Sequence, residues 1–411
     1  MPSNKLRLRL TLMLCIAALT LMGTVATAQT ESVLYRFNFS NGIFPRAGLV
    51  VDKAGNLYGT TFEGGSYRGG TVFELSPETG GGWTHSVLHN FSYLDGSANS
   101  PTTPLILDAA GNLYGTTTSG GTFGAGIAFE LSPQAGGWTF KRLHAFGNGK
   151  DGQIPSGGLV LDATGNLYGM TSAGGAYGNG TVFELSPAAD GVWTERILHH
   201  FNRTYTAGWA PYGSLVFDSS GNLYGTTHDG GTYAISGIGG GTVFRLTTAA
   251  GGGWTYATIH EFGRAKKGAQ RPLAGLTFDA AGNLYGTTEI GGTGACDGGC
   301  GTVFELISTA SGGRIEKILH SFNNIPDGAT PLAPVIVDTA GNVYGTTLNG
   351  GPFGGGAVFE LTPTEGGGWQ ENVLQNVGQP YGGLIFDGVG NLYGTTNNGG
   401  SGYGTVFEIT P

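Results

Sequence analysis

One phrase recurs seven times along this chain: Asp, two residues, Gly, Asn, an aliphatic residue, Tyr, Gly. Its Asp stands at 52, 108, 162, 218, 279, 338 and 387, and its Tyr at 58, 114, 168, 224, 285, 344 and 393. A Pro precedes each Asp by seven residues, at 45, 101, 155, 211, 272, 331 and 380. Successive repeats are 49 to 61 residues apart, about the length of one propeller blade or solenoid turn. Each interval must therefore build the same supersecondary unit.

The third repeat shows that unit. Residues 158–162 are an apolar run, the pattern of an inner strand A buried on both faces. Residues 162–166 are a tight turn and 166–171 form strand B. A Gly-rich loop leads to strand C at 180–185, and a second turn leads to strand D at 193–201. Strand D carries the polar residues, as an outer edge must if it is not to pair with another chain. Four strands repeated radially make a β-propeller. The last repeat ends with a strand C at 404–409, and residues 32–37 align with the strand D at 86–91. The expectation is an all-β, seven-bladed β-propeller of four-stranded blades whose N-terminal strand completes the last blade. A linear solenoid would need capping units.

Composition agrees. With 80 Gly, 17 Pro and 11% charged residues in 411, a long helical or coiled-coil protein is excluded. With 39% hydrophobic and 11% aromatic residues, the chain has enough apolar surface to escape charge-driven disorder.

The first 28 residues stand apart. Lys5, Arg7 and Arg9 precede an uncharged apolar run at 10–23 and then Ala26-Thr27-Ala28. This reads as a secretory signal peptide cut after Ala28, leaving one domain at 29–411. The run is shorter than the roughly 20 residues a membrane span needs, and Leu14 is too bulky to make Cys15 a lipidation site. Cleavage removes three cations from a chain of formal charge −9. So acidic an exported protein is expected to bind neither nucleic acid nor anionic membranes, and to be a monomer. Cys296 and Cys300 are predicted to form a local disulfide. A zinc site would need two further soft ligands, and the nearest histidines, His260 and His320, fall on other strands.

The repeated polar residues have structural readings. The turn Asp and Asn suit an Asx-stabilised hairpin better than calcium, which takes six to eight oxygens. Glu74, Glu130, Glu184, Glu305, Glu360 and Glu408 share one strand-C position, one per blade, too far apart for acid–base pairs. His89, His144, His199, His260 and His320 share a strand-D position and are likewise too dispersed to share a metal. Trp83, Trp138, Trp193, Trp254 and Trp369 open strand D and should pack blade against blade. No metal and no cofactor is expected.

Departures from the repeat point to function, since rigid scaffolds carry their sites on loops. The B–C and D–A loops share one face. The fourth and fifth B–C loops, 228–240 and 289–300, are longer than the rest. The D–A loop before the fourth repeat adds Arg203, Tyr205 and Trp209, with Tyr212 after Pro211. The next adds Arg264, Lys266, Lys267 and Arg271. Tyr67, Phe123, Tyr177, Tyr233, Phe353 and Tyr403 should ring this face, either stacking on sugars or plugging gaps between blades. Asp95, Asp151 and Asp327 add carboxylates.

The unit Asp-x-x-Gly-Asn-Leu-Tyr-Gly-Thr-Thr…Gly-Gly…Gly-Thr-Val-Phe-Glu-Leu-Ser-Pro resembles the GloVer, or Gloeo_Verruco, tandem repeat. More distantly, strands A and B are similar to those of NHL-type propellers. The resemblance implies an exported bacterial protein and no particular activity. That family has interchangeable C-terminal anchors, which this chain lacks, so free secretion or periplasmic residence is expected. The reading is a non-catalytic binding propeller for a glycan or extracellular protein, contacted by Tyr205, Trp209, Tyr212, Tyr233, Tyr177 and Asp151. One alternative is a lyase or hydrolase acting on a polysaccharide or small cyclic substrate, with His228 as base beside Glu289. Another is a structural surface or matrix protein.

Overall fold

The computed structural model of the chain describes residues 30–93, 98–203, 207–233, 239–249, 251–265, 267–309 and 313–410. The leader 1–28, Asp95, Tyr205 and Lys266 lie outside them. Seven four-stranded antiparallel sheets form a seven-bladed propeller, each ordered A-B-C-D from the axis outward. Blade 4 comprises strands Val216–Phe217, Leu223–Thr227, Thr242–Thr248 and Trp254–Glu261. Blade 5 comprises Thr277–Phe278, Leu284–Thr288, Thr302–Ser308 and Arg314–Ser321. Blade 7 takes A, B and C from the C-terminal end, and its D strand is Thr30–Arg36, which pairs with Thr405–Thr410. Closure is also sealed inside: Thr395 Oγ1 donates to the Ala47 carbonyl at 2.9 Å, joining blade 7 to blade 1.

Alternation along strand C explains why the blades cohere. Val72 packs in the cluster shared with blade 2, whereas Phe73 and Leu75 pack in the cluster shared with blade 7. The core is thus seven inter-blade layers, as period-two side chains dictate. Phe73 and its counterparts are fully buried, each contributing about 1.5–3 kcal/mol of transfer free energy. The Gly of strand B makes room for that ring: a Cβ on Gly169 would lie 2.5 Å from Phe183 Cζ. The strand-D Trp residues pack between blades as expected: Trp138 lies edge-on to Tyr58 of blade 1, and Trp254 to Tyr168 of blade 3. Blade 5 has Arg314 there instead, its guanidinium 5.8 Å from the Tyr224 ring, a cation–π contact in place of a ring pair.

The A–B turns are Asx hairpins. Asp162 Oδ1 accepts from the amides of Thr164 and Asn166, and Oδ2 accepts from Asn166 Nδ2 and the Tyr168 hydroxyl. Burial opposes the charge on Asp162, but these bonds prevail and hold its pKa low. Strand-C glutamates take the other side of the Tyr hydroxyl, as in Tyr344 to Glu360 at 2.8 Å. Strand A departs from expectation. The two residues next to the A–B turn are only half-buried in every blade, and in every blade but the third the A strand consists of those two residues alone. Only in blade 3 does the strand run back through the Pro-containing stretch, where Pro155 pairs with Thr171.

That stretch holds a seven-fold strained backbone. The residue before each repeated Pro is Phe44, Ser100, Ile154, Ala210, Arg271, Thr330 or Gln379, with φ between 53° and 62°. Left-handed backbone is costly for any L-residue, and most of all for β-branched Ile and Thr. The reward is a pair of inter-loop bonds. The Arg271 amide donates to Gly240 of the preceding blade's loop, while its carbonyl accepts from Glu289. The Ala210 carbonyl accepts from the His228 amide in the same way. The strain therefore fixes where the first residue of each B–C loop sits.

Candidate functional site at the loop-face mouth

That first residue follows the nearly constant Leu-Tyr-Gly-Thr-Thr of strand B, yet it differs in every blade: Phe62, Thr118, Ser172, His228, Glu289, Leu348 and Asn397. These seven positions encircle the mouth of the central channel on the B–C and D–A face. Just inside lies a cavity of about 270 Å3, lined by main chain and by Arg46, Thr102, Tyr212, Leu273, Leu332 and Tyr381. Adjacent blades approach backbone to backbone there: a Cβ on Gly213 would lie 2.4 Å from the Ala274 carbonyl.

Blades 4 and 5 dominate the rim. Gly208–Trp209 pairs with Asp229–Gly230, and Ala269–Gln270 with Ile290–Gly291, so each long B–C loop is tied to its D–A loop by a short ribbon. The two ribbons bring together His228 and Glu289, whose Nε2 and Oε2 are 3.2 Å apart. His228 Nδ1 lies 3.0 Å from Asp229 Oδ1, and its ring meets Tyr212 edge-to-face at 5.7 Å. Burial disfavours a charged His228, but hydrogen bonds and charges from Asp229 and Glu289 outweigh it and raise its pKa to about 9. The bond to His228 in turn holds Glu289 low. At neutral pH this is an imidazolium with both nitrogens donating to carboxylates. A histidine held in this way is suited to giving a proton rather than taking one, because a general base needs a free lone pair.

Beside this cluster, Gly239, Lys267, Gln270, Arg271, Ile290 and Cys296 border a cleft of about 470 Å3. Its wall is braced by the Cys296–Cys300 disulfide. Lys267 and Arg271 give the cleft a positive lining in an acidic chain.

The other expected site residues scatter. Tyr212 is 42% exposed at the mouth. Trp209 is half-buried against the core between blades 3 and 4, and the Arg203 guanidinium covers its ring at 4.7 Å. Tyr233 lies in an outer groove near Arg264, His260 and Glu316, and Tyr177 stands on the blade-3 loop. Asp151 does not face a ligand on this surface: it is 6% exposed and bonded to His144. The aromatic loop tips are not gap-fillers. Tyr67, Phe123, Tyr177, Tyr233, Phe353 and Tyr403 are 39% to 87% exposed, because the Gly-rich B–C loops carry them past the end of the sheet. Asp229 escaped the sequence reading as a partner of His228, although variation at one position inside a constant frame could have pointed to the mouth.

The whole described chain matches one known family, the Gloeobacter/Verrucomicrobia repeat, in overlapping stretches at residues 20–231, 161–376 and 239–411. No curated protein matches it. Among solved structures, a streptogramin B lyase is 14% identical with a TM-score of 0.55, covering 93% of this chain and 97% of its own. The virginiamycin B lyase of Staphylococcus aureus is 14% identical with a TM-score of 0.56, covering 93% and 99%. At such identities the likeness is one of fold. The chain belongs to the Gloeobacter/Verrucomicrobia repeat family.

Proposed function

We propose that this member of the Gloeobacter/Verrucomicrobia repeat family is an exported binding propeller that holds an acidic glycan on its loop face. One observation carries the reading: six B–C loops lift an aromatic side chain into solvent at equivalent positions, and the adjoining cleft between blades 4 and 5 is lined by Lys267 and Arg271. Exposed rings on a rigid scaffold suit sugar faces, and paired cations suit uronate carboxylates. The disulfide supports an oxidising compartment, in keeping with the basic, apolar and Ala-Thr-Ala leader.

The test is affinity electrophoresis of the purified chain in gels containing polyuronates or neutral polysaccharides. Retardation by polyuronates is expected, weakened by salt, and reduced at least tenfold in the Lys267→Ala, Arg271→Ala double variant. Equal retardation of the double variant, or none with any acidic polysaccharide, would refute the assignment.

A second reading has one specific observation behind it. His228, charged and 3.2 Å from Glu289 at the mouth, could protonate a leaving group in a lyase or hydrolase. Turnover of a polyuronate that vanishes in His228→Gln while binding persists would establish it. Absence of turnover leaves the binding role alone.

A further inference from the structure

At every blade boundary the strand-D position of one blade meets the residue two after the Trp position of the next, and the partners match in kind. Tyr35 stacks on His85, His89 on Phe140 and His199 on Tyr256, at 4.1 to 4.2 Å. Gln375 donates to Glu31. The three remaining boundaries pair histidine with glutamate: His144 with Glu195, His260 with Glu316, and His320 with Glu371. Two of these add a third group from the D–A loop. Asp151 Oδ2 lies 2.9 Å from His144 Nε2, and Asp327 Oδ2 lies 3.0 Å from His320 Nε2.

These two clusters, at the blade 2–3 and blade 5–6 boundaries, have an unbalanced chemistry. Each packs two carboxylates against one imidazole. Asp151 and Asp327 are only 6% and 9% exposed. Asp151 Oδ1, Glu195 Oε1 and Glu371 Oε1 are shut away from solvent with no hydrogen-bond partner, as is Glu316 Oε1 at the blade 4–5 boundary, so it is the added aspartate that sets these two clusters apart. Buried carboxylate oxygens without partners are costly unless a cation or a proton meets them. Within each cluster one ligand atom per residue can be chosen so that all lie within 4.8 Å of one another. Ligand atoms about 2.0–2.2 Å from a tetrahedral ion lie about 3.3–3.6 Å from one another, so closing the shell draws the side chains together by up to about an ångström.

We propose that His144, Asp151 and Glu195, and equally His320, Asp327 and Glu371, form two divalent-cation sites of the zinc class that clamp neighbouring blades together. One imidazole and two carboxylates are a borderline donor set suited to Zn2+ and its first-row neighbours rather than to calcium, and three protein ligands leave room for water. The sequence expectation that the strand-D histidines hold no metal considers histidines alone, which are indeed a blade apart. The remaining ligands come from the loop and from the adjacent blade. The blade 4–5 boundary is a built-in control. His260 and Glu316 meet there at 3.1 Å, but the D–A loop supplies Arg264 and Lys267 and no aspartate, so it should hold no ion.

The test uses the untagged full chain, stripped with chelator and titrated with Zn2+ by calorimetry, with Co2+ absorption as a second reading of the ligand field. Two equivalents are expected for the native chain, one for Asp151→Asn, one for Asp327→Asn, and none for the double variant. His260→Gln should leave the count at two. Thermal unfolding in chelator checks that each variant folds, and His144→Gln with His320→Gln replaces any Asn variant that does not. No bound Zn2+ in the native chain, meaning that a shared proton closes the clusters, overturns the proposal. So does a stoichiometry that the double variant leaves unchanged.

Discussion

The His228 cluster makes a prediction whose size follows from the structure. The side chain is 17% exposed between Asp229 and Glu289, and its pKa rises from 6.5 to about 9. At about 1.36 kcal/mol per unit, the folded state gains about 3 kcal/mol from holding the proton. Two charge-assisted hydrogen bonds, less the cost of burying the ring, account for a gain of that order. The folded pKa lies above the unfolded one, so the stabilisation is complete below about pH 6.5 and is lost as pH rises through about 9. For a chain this long, about 3 kcal/mol corresponds to about 4 °C in melting temperature. The assay is thermal unfolding of the native chain and of His228→Gln at steps from pH 6 to pH 10. With chelator present, so that the two proposed cation sites are empty, Glu195, pushed up by burial and by the nearby Asp151 carboxylate, and Glu371, pushed up by burial, also lose protons over parts of this range. They are common to both proteins, so the difference between the curves isolates His228. It should be largest at pH 6 and shrink steadily towards pH 10. A difference that stays constant would mean His228 is neutral in the fold, and the mouth would lose the imidazolium on which its acid chemistry rests.

Other consequences are simpler to read. Ile154, at φ 59° and 45% exposed, loses little packing on replacement, so Ile154→Asn should stabilise the fold by about 1 kcal/mol in chemical unfolding; destabilisation would show the left-handed backbone to be unstrained. Gly169→Ala drives a Cβ into Phe183 and should cost about 1–3 kcal/mol in the same assay, whereas Gly165→Ala, which meets no neighbour, should cost only the strain of its φ of 89°. Thr395→Val removes the buried bond to Ala47 and should lower stability by about 1–2 kcal/mol, seen as a reduced denaturation midpoint. Arg314→Ala removes the cation on Tyr224 and Phe278 and its bonds to the Gly282 and Leu306 carbonyls, and should cost about 1–2 kcal/mol, measurable by urea titration.

The seven-fold phrase was enough to derive the blades, their strand order, the hairpin turns and the closure, because a repeated alternation buries its apolar face only against copies of itself. Local spacing was likewise enough for the Cys296–Cys300 disulfide and for the inter-blade role of Trp138 and Trp254. What faces what across a boundary was decided by the tertiary structure. Glu289 is 61 residues from His228 and Glu195 is 44 from Asp151, and only the rotation from one blade to the next sets them side by side. The same rotation turned Asp151 inward to His144 and Glu195, because the D–A loop folds back over the outer strand, while the Gly-rich B–C loops swung Tyr177 and Phe353 out into solvent. Sequence periodicity encodes contacts within a repeat. The site lies between repeats, where ring geometry and not chain order chooses the neighbours.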